Sequence, residues 1–272
     1  MNKSIQDILI SLNRRTACKT SSLKKLQTIS WLKATFHDYK IGPETLQNNV
    51  FKKNANDDSS GIVYKWLRGE HHASKTSVDR VAKQYPGSDN FFNSPIFQLL
   101  ENKRITKTKL EKIISPYLSG PPLRMWNLPF DDQNVNGLPV SLITHEIDSD
   151  TLFQRGDAYG FMAILYLVRK AELENDLGNH TYYMKEAYKA FPAFCKNRYF
   201  NHNWDDYLTA LVKIQSRMNA SINLLLPDFD TIKRQVLSQQ LITLRALRPR
   251  DSTTNRFILL KEPFIEASFD FS

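Results

Sequence analysis

The chain has 272 residues, 41% of them hydrophobic and 11% aromatic, enough to bury one large core or two modest ones. Two cysteines, Cys18 and Cys195, are too few for a disulfide framework and lack metal-ligand spacing, so they read as free thiols of a reducing, cytoplasmic compartment. The formal net charge is +9. Lys3, Gln6 and Asp7 interrupt the stretch Met1 to Leu12, which argues against a secretory leader, and no apolar run reaches the roughly 18 residues a bilayer demands, so no membrane association is expected.

In chain order, an amphipathic helix is expected near Ile5 to Arg15, then a Thr/Ser break, then a longer helix from about Ser22 to Tyr39. Leu23, Leu26, Ile29, Leu32, Lys33 and Phe36 give that second helix a mostly apolar stripe at three- and four-residue spacing. Gly42-Pro43 ends it, and Pro43 suits the first turn of a short helix over Glu44 to Lys53. Asn54 to Ser60 reads as a polar loop.

The stretch from Gly61 to Ser88 reads as two short helices around a tight glycine turn. Val63, Tyr64, Trp66 and Leu67 supply a buried side to the first, Lys65 and Arg68 lie off it, and Gly69 is a C-terminal stop. Ser74 is the N-cap of the second, in which Val78, Val81, Ala82 and Tyr85 recur at helical spacing until Pro86-Gly87.

Here the chain resembles the XRE, or lambda-repressor-like, helix-turn-helix family of DNA-binding domains. The resemblance rests on Val63-Tyr64-Lys65-Trp66-Leu67-Arg68-Gly69, followed by Ala73-Ser74 where the family often has Pro-Ser. It spans about residues 58–88. Leu67 stands where the family usually has an acidic residue, and the segment before Gly61 is longer than the usual turn. The resemblance implies a recognition helix over Ser60 to Arg68 in the major groove, with Ser59, Ser60, Tyr64 and Lys65 facing DNA, Arg68 near a phosphate and Trp66 in the core. An ordinary helical hairpin is the competing reading.

Charge points the same way. Residues 1–126 hold 21 Lys and Arg against 10 Asp and Glu, net +11, whereas residues 127–272 hold 16 against 18, net −2. The basic half clusters its cations at Arg14, Arg15 and Lys19, at Lys24, Lys25 and Lys33, at Lys52 and Lys53, and at Lys103, Arg104, Lys107, Lys109 and Lys112. Such clusters neutralise phosphates and release counterions, although a solvated lysine face is equally consistent with charge alone. Lys75 and the His71-His72 pair, in and after the glycine turn, are further candidates for phosphate contact; mere exposure also accounts for the histidines.

Asn90 to Leu100 carries Phe91, Phe92, Pro95, Ile96, Phe97, Leu99 and Leu100 and is expected to pack the helical unit together, before a basic helix over Thr106 to Tyr117. Ser119 to Pro139 is rich in Pro and Gly and reads as a linker or docked loop. Asp157 to Glu172 is apolar almost all round, the mark of a buried helix. Tyr182 to Phe194 and Trp204 to Met218 follow as helical segments, broken by Pro192 and by Asn201 to Asn203, and Leu224 to Leu247 is helical with an interruption at Pro227. Arg256 to Leu260 and Phe264 to Phe271 read as a terminal hairpin or paired strand.

Catalytic motifs are missing: the chain has no glycine-rich phosphate loop, no G-x-S-x-G, no H-E-x-x-H and no paired C-x-x-C. His145-Glu146 with Asp148 and Asp150, and Asp228 with Asp230, are the acidic clusters in which a divalent metal is conceivable; solvated loops or helix starts are the competing reading. The aromatic stretch Tyr182, Tyr183, Tyr188, Phe191, Phe194, Tyr199, Phe200, Trp204 and Tyr207 reads as core or as a base-stacking surface. Arg245, Arg248 and Arg250 suit either phosphates or a helix C-terminus. His37, His180 and His202 show no partner in the sequence.

The expectation is a mostly α protein. Residues 1–118 form a basic helical DNA-binding domain, 119–139 a linker or docked loop, and 140–272 a helical partner-binding or oligomerisation domain ending in a short β element. No catalytic residue, metal ligand or cofactor is assigned. The expected partners are double-stranded DNA and, through the C-terminal part, another protein or a second copy. The resemblance implies a bacterial or phage transcriptional regulator. A subunit tethered to DNA or nucleoprotein in a mobile-element or phage-defence complex, and a metal-dependent nuclease or toxin effector, are the alternatives.

Overall fold

The computed structural model describes residues 23–51, 61–118, 158–197 and 199–246. These are mostly helical and include no sheet. The expected helix near residue 5, the loop 54–60, the Pro/Gly-rich segment and the terminal strands lie outside the described residues, as do Cys18 and the His145 to Asp150 cluster.

Helix α1 spans Leu23–Tyr39, close to its expected limits. It is buried more widely than a single stripe: Trp31, Leu32 and Ala34 are in the core, and so are Thr28, Ser30 and Thr35. Each buried hydroxyl is hydrogen bonded, as burial of a polar group demands. Thr28 donates to Lys24 O and Thr35 to Trp31 O, both at 2.9 Å, and Ser30 Oγ meets Tyr207 Oη at 2.7 Å. Helix α2, Pro43–Leu46, starts on its proline and passes into a π-helical turn at Gln47–Phe51.

Helices α3 (Ile62–Leu67) and α4 (Lys75–Gln84) follow. The Phe-rich segment then splits into α5 (Ser88–Phe92) and α6 (Pro95–Leu99), separated at Pro95. It packs inward as expected, with Phe91, Ile96, Phe97, Leu99 and Leu100 buried. Helix α7 is Lys107–Leu118.

Helix α8 (Ala158–Glu174) lies at the centre, packed along α9 (Leu177–Lys196) and against α6 and α7. Phe161, Met162, Ile164, Leu165 and Val168 are all buried, which explains its nearly uniform apolar sequence. Helix α9 runs through Pro192 without a break, contrary to expectation. Proline removes one backbone N–H and crowds the carbonyl four residues earlier, but Pro192 sits near the C-terminal end of α9 and is buried between Phe191 and Phe194, also buried. A 3₁₀ turn at Asn201–Asn203 leads into α10 (Trp204–Gln215), then α11 (Asn219–Leu224) and α12 (Phe229–Ala246).

In the aromatic stretch after Tyr182, Tyr188, Phe191, Phe194, Tyr199, Phe200 and Tyr207 are core and Trp204 is partly buried against it. Phe194 stacks on Phe161 and Phe200 at 4.4 Å between centroids, and Phe200 and Tyr199 meet Phe91 at 5.5 and 5.4 Å. One hydrophobic cluster therefore includes described residues from before 118 and after 158. A buried arginine adds a polar tie: Arg169 Nε donates to Leu99 O at 2.8 Å, Nη2 to Glu101 O, and Nη1 to Glu172 Oε2 at 2.5 Å. Glu172 Oε1 accepts from Arg217 Nε at 2.5 Å. Gln215 accepts from Tyr188 Oη at 2.8 Å and donates to Leu225 O at 2.7 Å, which joins α9, α10 and the exit of α11. Among the described residues no helix is long and apolar enough to cross a membrane.

Candidate nucleic-acid interface

Helix α3 is anchored on one side and open on the other. Val63 and Trp66 are buried; the Trp66 ring lies 5.4 Å from Phe51 and 6.2 Å from Trp31, and the Val63 N–H donates to Gln47 Oε1 at 3.1 Å. Trp66 is thus in the core, where the resemblance put it. Tyr64 is 41% exposed, Lys65 is half-buried and Arg68 is exposed. Tyr64 and Arg68 are four residues apart and share a face.

The turn after α3 is a Schellman motif. Gly69 has φ +68, its N–H donates to Trp66 O, and the Glu70 N–H donates to Lys65 O, both at 3.0 Å. Left-handed backbone is what glycine supplies at this position. The Ala73 N–H donates to Thr28 Oγ1 at 3.0 Å and ties the turn to α1, while Gly69 is buried beside Ile29, whose Cδ1 would lie 3.6 Å from a Cβ added there. His71 and His72, between those anchors, are exposed. Ser74 caps α4, accepting from the Ser77 N–H at 3.2 Å, as expected from the sequence. Lys75, Thr76, Arg80 and Lys83 are exposed on α4 while Val78 and Val81 are buried. Arg80 lies over the Phe51 ring, 5.7 Å from its centroid.

The structure therefore gathers Tyr64, Lys65, Arg68, His71, His72 and Lys75 along α3, the turn and the start of α4. Ser59, Ser60, Lys52 and Lys53 lie outside the described residues. Sequence reasoning missed Glu70. Its carboxylate accepts from Arg68 Nε at 2.5 Å, with Arg68 58% and Glu70 43% exposed. Residues two apart do not face each other on a helix, and the left-handed Gly69 between them is what brings them together. The Arg68 hydrogen bond, with Arg68, His71 and Lys65 charge nearby, holds the Glu70 carboxyl below its ordinary range. Of the later basic cluster, Lys109 is engaged by Glu101 at 2.8 Å, while Lys103, Arg104, Lys107 and Lys112 are exposed.

Elsewhere the candidate sites resolve into structure. Asp228 Oδ1 accepts from the Asp230 and Thr231 N–H groups, each at 3.1 Å, and Oδ2 from Thr231 Oγ1 at 2.6 Å, so Asp228 is a helix cap. Among the described residues no group of His, Cys, Asp and Glu is arranged to hold a metal. His37, without a partner in the sequence, lies 3.3 Å from Asp38 and edge-on to Tyr199. Cys195 is a buried thiol, pushed up by that burial.

Comparison with protein-family models, with curated proteins and with solved structures returns no match to this chain.

Proposed function

We propose that this chain is a DNA-binding protein of helix-turn-helix type, with α2 and α3 as the paired helices, acting in the cytoplasm as a bacterial or phage transcriptional regulator. The observation that carries the reading is the division of α3. Val63 and Trp66 fix one face in the core while Tyr64 and Arg68 are exposed and Lys65 is half-buried, in the half of the chain with net charge +11. Tyr64 and Lys65 offer hydrogen bonds to base edges or sugar, and Arg68, Lys75 and the exposed α4 cations offer phosphate contacts. Affinity then comes mainly from the cations and sequence reading from the short α3 surface.

The neutral half is proposed to bind a protein partner or a second copy. Leu224 on α11 is 56% exposed and Leu237 on α12 is 41% exposed, and both helices pack against α9. A role as the DNA-tethered subunit of a larger assembly uses the same surfaces.

The test is binding of the purified protein to random duplex, single-stranded DNA and RNA over a salt series, with Lys65→Ala/Arg68→Ala beside the wild type. Duplex binding that strengthens as salt falls and weakens in the double variant supports the reading. Absence of binding to every polyanion at low salt removes it.

A further inference from the structure

We propose that Glu70 is a built-in competitor for phosphate, which sets the affinity and salt response of the α3–α4 face. The proposal rests on the DNA-binding reading above and concerns the regulation of that same surface.

Arg68 and Glu70 are placed by backbone and not by chance encounter of long side chains. Arg68 is the C-cap of α3, and Glu70 is the residue whose N–H closes the Schellman turn on Lys65 O. Gly69 between them is buried against Ile29, and the Ala73 N–H is fixed to Thr28. The two side chains leave a turn whose backbone is closed by its own hydrogen bonds and tied to α1 at Ala73, and they meet at 2.5 Å.

An exposed ion pair of this kind contributes little to folding. Its consequence lies in the donors it occupies. The guanidinium binds phosphate best through two parallel N–H groups, and the Glu70 carboxylate takes Nε, one of the two on the side edge. A carboxylate and a phosphate oxygen are both anionic acceptors, so DNA must displace Glu70 from Arg68 to use that edge, and then lies beside an unneutralised negative charge. Lys65 and His71 act on the same carboxylate, so Glu70 weakens the field of several cations of the candidate face together.

The experiment measures duplex binding of wild type, Glu70→Gln, Arg68→Ala and Glu70→Gln/Arg68→Ala from 50 to 300 mM salt, with Glu174→Gln as a variant of equal charge change on the exposed end of α8. Glu70→Gln is expected to tighten binding about three- to tenfold at the lowest salt and to steepen the salt slope by about 0.9, one more phosphate neutralised. The gain should vanish when Arg68 is alanine. Circular dichroism checks that each variant is folded, and Glu70→Ala replaces Glu70→Gln should the latter unfold. Salt-dependent binding by wild type with no gain in Glu70→Gln overturns this proposal and leaves the DNA-binding reading standing. An equal gain in Glu174→Gln also overturns it, since net charge alone then accounts for the effect. Failure of every variant, wild type included, to bind duplex at low salt removes the DNA-binding reading and this proposal with it.

Discussion

Arg169 and Glu172 face each other one turn apart on α8, Nη1 2.5 Å from Oε2, with side chains 0% and 7% exposed. The same guanidinium holds the Leu99 and Glu101 carbonyls. Removing Arg169 leaves the buried Glu172 with Arg217 alone and strips the Leu99 and Glu101 carbonyls of their donor, so Arg169→Met should destabilise the protein by about 3 kcal/mol. Urea unfolding reads this directly, and a loss below 1 kcal/mol would contradict the assigned network.

Trp66 and the outward cations of α3 should separate in the same kind of experiment. Trp66→Ala empties a site bounded by Trp31 and Phe51 and is expected to cost about 3–5 kcal/mol. Lys65→Ala/Arg68→Ala should leave the urea midpoint close to wild type and weaken duplex binding. Equal damage to folding from both would remove the assignment of an outward recognition face.

His180 is fully buried, and neither ring nitrogen has a hydrogen-bond partner among the described residues. Burial pushes its pKa down from 6.5 to about 4; Glu172 opposes the shift and Arg169 adds to it. The unfolded chain therefore takes up the proton first. The contribution is complete above about pH 6.5 and is lost as pH falls toward 4, by about 3 kcal/mol in all. Unfolding free energies at pH 7.5 and 4.5 should differ more in wild type than in His180→Leu, and identical pH dependence in the two would refute the assignment.

Gly69→Ala tests the turn. At φ +68 an added Cβ meets only Ile29 Cδ1, at 3.6 Å, so the penalty comes from left-handed backbone and not from a clash. About 1–2 kcal/mol is expected, measured as a lowered midpoint.

Local signals carried most of what the sequence disclosed. Pro43 starts α2, Gly69 stops α3 and Ser74 caps α4, because each acts on backbone within a few residues; α1 itself ends two residues before Gly42-Pro43, at a left-handed Lys40. What was hidden depends on distant partners. The buried Thr28 and Ser30 look like solvent residues until Ala73 and Tyr207 arrive beside them. Pro192 reads as a break until its packing is known. Of the candidate interface, the inward Val63 and Trp66 follow from helical spacing; Tyr64, which the spacing grouped with them, is exposed instead, and the Arg68–Glu70 pair exists only through the reversal at Gly69.

The hydrogen bond between Ser30 and Tyr207, with Phe91 on Tyr199 and Phe97 on Tyr207 at 6.4 Å, joins α1 and α6 to residues beyond 158. A fragment ending at residue 118 would strip Phe91 of Tyr199 and Phe200, Phe97 of Tyr207, and the buried Ser30 hydroxyl of its partner. Loss of those partners takes away part of the wall against which α1 is seated, and with α1 would go the footing of Gly69 and Ala73 that holds the α3–α4 turn in place.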